Sequence, residues 1–284
     1  MTLIRFDRLE LKYVIDAAQR RAVVAALAGH TEPDRHGNAD GRYPVISQYY
    51  DNAAHGLFWE RERGLPSRRK LRIRLYGGTG TSAPPVCFVE IKHNHEGRVA
   101  KRRARLPIAE AEQVCTGRPS TFPIPAEQER LIDEVRRFVA QRDLHPVLLL
   151  RYERQAFRGD DRWPDLRVTF DDHIAARGHD LHVRPGDRDF DVPLLAPGLT
   201  VLEIKVAQTA PRWLAEAVAA AGCLLQRHSK FSGAMSALNP DLPPQPRPIQ
   251  PRLPASKVGK TSPTTPASRA DAAAPVRSAN AWTH

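Results

Sequence analysis

Apolar and polar residues alternate with a period of two along several segments of this chain. In "LRIRLY", Leu71, Ile73 and Leu75 fall on one side, whereas Arg72 and Arg74 fall on the other. Such alternation is typical of a β-strand with one buried face. The pattern predicts eight strands: Arg8–Ile15, Ile46–Asp51, Lys70–Tyr76, Val86–His93, Val99–Leu106, Val147–Phe157, Leu166–Asp171 and Thr200–Val206.

Five segments between or after these strands carry helical signals. Asp16 is a predicted N-cap for the first segment, and Leu131, Val135 and Phe138 recur at the helical period in the third. Together with the strands they predict one α+β domain over residues 1–238. The predicted helices are Asp16–Ala28, Ile108–Cys115, Pro125–Arg142, Pro211–Ala221 and Ser229–Leu238.

The polar face of most predicted strands is charged. The segments "LELKY", "VEIKH" and "LEIKV" each place a glutamate and a lysine opposite an apolar face, and "LRVTFDD" and "LRYER" present arginine with acidic residues. If the apolar faces lie under helices, the charged faces meet one another, which predicts a closed or nearly closed barrel with a charged lumen. The alternation alone also fits a barrel with an apolar interior and a wet exterior.

The charge of the chain indicates the kind of partner. The 284 residues are 41% hydrophobic and carry a net charge of +11, which indicates a polyanionic partner. Phosphate oxygens suit both the fork of arginine and the compact charge of lysine, and interleaved carboxylates offer hard oxygen ligands to Mg²⁺ or Mn²⁺. Nucleic-acid modules usually interleave basic residues with aromatic ones, whereas aliphatic residues fill these positions here, so we expect no nucleic acid.

The composition changes at Asn239. From there to His284 the chain is rich in Pro, Ala, Ser and Thr and has few aromatic residues. Such a segment cannot bury enough apolar surface to fold, so residues 239–284 are predicted to form a disordered tail. Six Lys or Arg and two Asp or Glu lie in this tail, so most of the net charge belongs to the preceding body.

Cysteine usage and hydropathy bear on the compartment. Cys87, Cys115 and Cys223 are odd in number and form no CxxC pair, so we interpret them as reduced thiols. The first residues, "MTLIRFDRLELKY", contain no apolar run of signal-peptide length, and no stretch of about 18 apolar residues occurs. We therefore expect a cytoplasmic protein with no membrane span in this chain, which leaves a membrane partner open.

Nine short motifs occur in a recognisable order: "RLELKY", "ISQYYDN", "KLRIRLYG", "VEIK", "KRR", "LRYERQAF", "RVTFDD", "LEIK" and "SKFSGAM". Together they resemble the VTC domain, the catalytic polyphosphate polymerase domain of the vacuolar transporter chaperone complex and its bacterial relatives. That domain belongs to the triphosphate tunnel metalloenzyme (CYTH-like) superfamily. The resemblance covers Arg5 to Leu238 and implies an eight-stranded antiparallel β-barrel, the triphosphate tunnel, with helices packed on the outside.

The resemblance also implies roles for individual residues. Arg8 stands where the wider superfamily has the first glutamate of ExExK, which favours the VTC branch and leaves the N-terminal metal ligation open. The implied catalytic residues are Lys12, Arg72, Arg74, Lys92, Arg151 and Lys230. Additional implied phosphate neighbours are Lys101, Arg103, Arg167, Lys205 and Ser229. The implied metal ligand is Glu203, joined by Glu90 or Glu10, and the metal is Mn²⁺ or Mg²⁺.

The activity that the resemblance implies is a metal-dependent transfer of the γ-phosphoryl group of ATP to a growing inorganic polyphosphate chain. Phosphoryl transfer depends mainly on positioning and charge stabilisation, so no nucleophilic side chain is required. Two alternatives stay open: a triphosphatase, in which water replaces the phosphate acceptor, and a polyanion-binding protein without turnover. The glutamates disfavour a pure binder, because they repel phosphate unless a metal lies between.

Overall fold

The computed structural model describes residues 4–5, 9–77, 86–96, 98–119 and 122–242. The strands are β1 (Ile4–Arg5), β2 (Leu9–Ile15), β3 (Thr31–Pro33), β4 (Arg42–Asp51), β5 (Ser67–Tyr76), β6 (Val86–His95), β7 (Arg98–Pro107), β8 (His145–Gly159), β9 (Arg167–Arg177), β10 (Val192–Pro193) and β11 (Thr200–Val206). The helices are α1 (Ala17–Leu27), α2 (Gly56–Glu62), α3 (Ile108–Cys115), α4 (Ala126–Arg142), α5 (Arg212–Ala220) and α6 (Lys230–Leu238).

All strands belong to one antiparallel sheet, whose eight longer members follow the order β7-β6-β5-β4-β8-β9-β11-β2. The sheet is curled into a half-barrel. The curl brings Lys92 of β6 and Glu10 of β2, which lie near opposite ends of this order, to within 3.5 Å of each other. β1 pairs antiparallel with β7 and so extends that edge of the order. The predicted eight-stranded antiparallel barrel is confirmed as a curled sheet.

The apolar face of "LRIRLY" is the outer one. Leu71, Ile73 and Leu75 are buried in a cluster with Val135 and Phe138 of α4. Each such side chain contributes roughly 1.5–3 kcal/mol when fully buried, so the helices hold the curled sheet from outside. The alternative with an apolar interior throughout and a wet exterior is therefore wrong.

One helix departs from the expected outer position. The Phe231 ring of α6 lies 5.1 Å from the ring of Tyr49, which shares the inner face of the sheet with the arginines of β5. Ala234 and Met235 are buried in the same cluster as Leu150 of β8. α6 therefore covers part of the inner face with apolar side chains.

The predicted elements agree closely with those observed. Thr200–Val206 and Ile108–Cys115 are confirmed to the residue, and β9 extends the most, ending at Arg177. Asp16 caps α1 as predicted, accepting from the backbone N–H of Ala18 and Gln19. The sequence analysis missed α2 and the three shortest strands. Arg8 and most of the predicted tail, residues 243–284, lie outside the described residues.

Two further expectations concern thiols and membranes. Cys87 and Cys115 are buried in the outer core, Cys223 is partly exposed, and all three are free thiols, as predicted. No helix in the described part of the chain is both long enough and apolar enough to cross a membrane.

α2 is held by a carboxylate that lies well before it in sequence. The N-cap, His55, has a positive φ of 53° and makes no side-chain capping bond. Instead the buried carboxylate of Asp51, at the end of β4, accepts from the backbone N–H of Leu57 at 2.8 Å and Phe58 at 2.9 Å. It also accepts from the N–H of Asn52 at 2.8 Å. Sequence rules search for a cap at the N-cap position, which explains why this helix was missed.

Asp51→Ala is expected to lower the free energy of unfolding by about 2 kcal/mol, because buried backbone donors lose their acceptor. Chemical denaturation of both proteins measures the change. The control is Asp133→Ala, which removes an exposed carboxylate from α4 and should change stability by less than about 0.5 kcal/mol. Equal stability of the Asp51 variant and the wild type would contradict this account of α2.

Candidate functional site in the tunnel lumen

The register of β5, β6 and β7 places their basic side chains side by side on the inner face. Lys70 lies opposite Lys92, and Lys92 lies opposite Lys101 on the next strand. The adjacent pair is Arg72 and Glu90, whose Nε and Oε2 atoms lie 2.7 Å apart. Lys101 Nζ lies 2.6 Å from the other oxygen of Glu90. Both carboxylate oxygens of Glu90 are therefore engaged by cations.

Glu90 is almost completely buried, with 1% of its surface exposed. Burial alone would raise its pKa, but Arg72, Arg74 and Lys101 outweigh burial and hold the pKa far below its usual range. Burial lowers the pKa of Lys101 to about 8, although Glu90 opposes that shift. The Glu90 carboxylate is thus an anion that is surrounded by a larger positive charge.

A second cluster forms where β2 meets β11. Lys12 lies opposite Glu203 and Lys205 lies opposite Glu10. Glu203 Oε1 is 3.3 Å from Lys205 Nζ and 3.7 Å from Lys12 Nζ, and Glu10 Oε2 is 3.5 Å from both Lys12 and Lys92. Burial favours a raised pKa for Glu203, yet Lys205 and Lys12 lower it well below its ordinary value.

A third cluster joins β8, β9 and α6 around Asp171, which is fully buried. Arg154 donates to both carboxylate oxygens, from Nε at 2.7 Å and from Nη2 at 2.8 Å, and Lys230 Nζ lies 2.6 Å away. Burial opposes ionisation, but Arg154 and Lys230 lower the pKa of Asp171 to about 2. Ser229 caps α6 through the N–H of Ser232, which places Lys230 in the first turn.

The arginines of "LRIRLY" lie on the inner face, as the resemblance implied. Arg72 donates from Nη1 to the Tyr49 hydroxyl at 3.1 Å, in addition to its bond with Glu90. Arg74 is 7% exposed, and its Nε donates to the uncharged hydroxyl of Ser47 at 3.0 Å. Within the part of the chain that the structure describes, Arg74 therefore brings a positive charge into the lumen without an ion-pair partner at close range.

Arg151 is not a lumen residue, and its implied catalytic role requires correction. It lies opposite Ile46, whose side chain is buried in the outer core, and it forms an ion pair with Glu153. The lumen arginine of this strand is Arg154. The alternation did not show which face of β8 is inner, because both faces are buried here. Leu148 and Leu150 are buried in the cluster that contains α6, and Leu149 is buried in the outer core.

Two implied phosphate neighbours lie at the edge of the site. Arg103 is exposed on β7 opposite Glu90, with its guanidinium 4.6 Å from the Phe88 ring. Arg167 forms an ion pair with Asp34 at 2.5 Å and donates to the Tyr43 hydroxyl at 3.0 Å. The sequence analysis missed the hydroxyl groups of Ser47 and Tyr49, because a single polar residue in a strand carries no specific signal.

The carboxylates differ in how well they fit a divalent metal. No group of three or more His, Cys, Asp or Glu side chains is arranged to hold a metal within the ranges described above. Glu90 fits poorly, because cations engage both of its oxygens at close range. Glu10 and Glu203 fit better, since their lysine partners lie at 3.3–3.9 Å. Mg²⁺ is commonly held by one or two carboxylates with substrate phosphates completing its shell.

The fold and the site together define a cation-lined tunnel protein built on a curled antiparallel sheet. The chain belongs to the VTC domain family, whose model matches residues 7–239. Family membership and the cationic lumen support a polyphosphate-related tunnel enzyme. No curated protein matches the sequence.

The solved structures that are similar to the chain include the following three. HpAC1 of Hippeastrum, a proposed adenylyl cyclase with a dominant triphosphatase activity, is 17% identical, covers 81% of this chain and 96% of its own, and has a TM-score of 0.47. A proposed adenylate cyclase of Bacillus halodurans is 12% identical over 78% and 93%, with a TM-score of 0.43. The PH1819 protein of Pyrococcus horikoshii is 13% identical over 79% and 96%, with a TM-score of 0.41.

Arg154→Gln and Arg151→Gln form a matched pair that tests the corrected assignment. Arg154→Gln is expected to weaken the binding of tripolyphosphate about tenfold or more, since a charge-assisted contact is worth roughly 1.5–3 kcal/mol. Arg151→Gln, on the outer face of the same strand, should change the affinity less than about twofold. Calorimetric titration measures both, after thermal melting has shown that each variant is folded. Equal losses in the two variants would contradict the assignment.

Proposed function

We propose that this protein is a polyphosphate polymerase, which transfers the γ-phosphoryl group of ATP to the end of a growing inorganic polyphosphate chain. The observation that carries the proposal is the unbalanced charge of the lumen. Among the described residues, lysines and arginines from β2, β5, β6, β7, β8, β11 and α6 outnumber the four carboxylates that they contact, those of Glu10, Glu90, Asp171 and Glu203. A phosphate chain supplies the missing negative charge at regular intervals.

The arginines are proposed to bind the phosphates of ATP. Arg72 and Arg74 present guanidinium groups on one strand, and Arg154 presents a third from β8. The planar fork of arginine matches phosphate oxygens and stays charged at any physiological pH. Arg74 is the best placed of the three, because its observed partner is an uncharged hydroxyl that a phosphate oxygen can replace.

The lysines are proposed to neutralise the charge that develops on the transferred phosphoryl group. Lys12 of β2 and Lys92 of β6 both lie 3.5 Å from Glu10 Oε2, so two distant strands bring their lysines together at this carboxylate. Lys230 of α6 lies beside Asp171 of β9. Such pre-organised cations stabilise a phosphoryl-transfer transition state without reorganising during the reaction.

Glu10 and Glu203 are the residues that would hold Mn²⁺ or Mg²⁺. A divalent ion held there would neutralise negative charge on the phosphates. Glu90, which the resemblance also implied as a ligand, is proposed instead to orient Arg72 and Lys101.

The ionised state of the four lumen carboxylates favours a phosphate acceptor over water. The pKa values of Glu10, Glu90, Asp171 and Glu203 are all lowered by neighbouring cations, although burial opposes the shift, so these carboxylates are weak general bases. Water needs a base to become a good nucleophile. The terminal phosphate of a polyphosphate chain already carries negative charge at pH 7, so it can attack without a general base. This difference favours the polymerase over a triphosphatase.

The test is to incubate the purified protein with ATP, Mn²⁺ and a pyrophosphate primer, and to separate the products by chain length on a gel. The wild type is expected to form a ladder of chains. Arg72→Ala/Arg74→Ala should form chains at least about 100-fold more slowly, since two transition-state contacts are lost. The matched control is Arg69→Ala, which removes an arginine stacked on Phe138 of the outer helix α4.

Three results would contradict the proposal in different ways. Free phosphate without chains would mean a triphosphatase. Consumption of no ATP with any divalent metal would leave a polyanion-binding protein. A ladder of equal intensity in the double variant would place the reaction outside this lumen. Glu203→Gln separates catalysis from binding, because the variant should still bind tripolyphosphate but should lose metal-dependent turnover.

A further inference from the structure

Lys70 is the first residue of the motif "KLRIRLYG", but neither the resemblance nor the proposed mechanism assigns it a role. It lies on the inner face of β5, two residues before Arg72, and directly opposite Lys92 of β6. Lys92 in turn lies opposite Lys101 of β7, so three lysines form a row across three neighbouring strands. Side chains paired in this way lie about 4.5–5.5 Å apart at Cβ, and like charges in that position repel each other.

The three lysines of this row differ in their partners. Lys92 Nζ lies 3.5 Å from Glu10, and Lys101 Nζ lies 2.6 Å from Glu90. Within the described ranges, Lys70 has no carboxylate at ion-pair distance. Its Nζ lies 3.4 Å from the hydroxyl oxygen of Ser229 and 4.8 Å from the centre of the Phe231 ring. Lys70 is therefore the one member of the row whose charge the protein does not balance.

Among the described residues, the charged groups that affect Lys70 most are cations of neighbouring elements. Arg72 lies on its own strand, Lys92 on β6, Lys12 on β2 and Arg61, which is paired with Glu62, on α2, and the start of α6 contributes Ser229 and Phe231. Burial, followed by these cations, lowers the pKa of Lys70 well below its ordinary value. An anion in the lumen would reverse that effect and favour the charged ammonium group.

We propose that Lys70 is a further polyphosphate-binding residue, which completes a three-lysine row with Lys92 and Lys101 and is balanced by a phosphoryl group of the bound chain. This inference rests on the proposed function, since it names a residue of the same lumen. The Ser229 hydroxyl, which Lys70 already contacts, lies at the start of α6 and can donate to the same phosphate. The proposal also predicts that polyphosphate binding raises the pKa of Lys70, so that binding is accompanied by proton uptake over the pH range in which Lys70 titrates.

The experiment is calorimetric titration of metal-free tripolyphosphate at several pH values between 7 and 10, repeated in buffers with different ionisation enthalpies so that proton uptake is measured. Lys70→Gln is expected to weaken binding about tenfold and to reduce proton uptake. Lys70→Arg should restore most of the affinity. Arg69→Gln, on the outer face of the same strand, should leave the dissociation constant within twofold. Lys101→Arg removes the uptake due to Lys101, so that the uptake due to Lys70 can be measured alone.

Folding is checked by thermal melting, and Lys70→Gln is expected to melt no lower than the wild type, because it removes an unbalanced charge. The inference is overturned if Lys70→Gln binds tripolyphosphate within twofold of the wild type, or if Arg69→Gln loses as much affinity. Chain synthesis is assayed separately. If the wild type binds tripolyphosphate through Lys70 but makes no chains, only the polymerase proposal is contradicted. If the wild type makes chains and Lys70→Gln binds tripolyphosphate normally, only this inference is contradicted.

Discussion

The structure depends on apolar burial on the outside of a curled sheet, which encloses more positive than negative charge. The outer faces of the strands are apolar and lie under helices, so burial of residues such as Leu71 and Ile73 stabilises the curl. The same alternation then directs arginines and lysines into the lumen. Four carboxylates balance part of that charge, and the remainder is left for a ligand. Folding therefore holds like charges close together at a cost in electrostatic free energy. Binding of a polyanion offsets that cost.

The carboxylates divide into two kinds because of the distances to their cations. Glu90 and Asp171 are held at 2.6–2.8 Å and act as fixed parts of the wall that orient Arg72, Lys101, Arg154 and Lys230. Glu10 and Glu203 lie at 3.3–3.9 Å from lysines and are freer to accept a metal. Lowered pKa values in all four leave no strong general base among them, which is consistent with an acceptor that is already an anion.

Much of the fold was predictable from the sequence, because a period of two is a local signal that survives folding. The Glu–Lys pairs of "LELKY", "VEIKH" and "LEIKV" lie in the lumen, as the alternation predicts. Arg151 was misassigned because α6 covers the inner face near β8, so both faces of that strand are buried and alternation loses its meaning there. The pairing of Arg154 and Lys230 on Asp171, and the capping of α2 by Asp51, depend on residues distant in sequence or outside the usual capping position.

A crystal structure of the protein with tripolyphosphate would test the central claim most directly. The account predicts phosphate oxygens within hydrogen-bond distance of Arg72, Arg74 and Arg154, on the inner face of the sheet. It also predicts that the three clusters open only slightly to admit the ligand, because the wall is already formed. Phosphates bound instead on the outer face beside Arg151, with the lumen closed by its own ion pairs, would contradict the account.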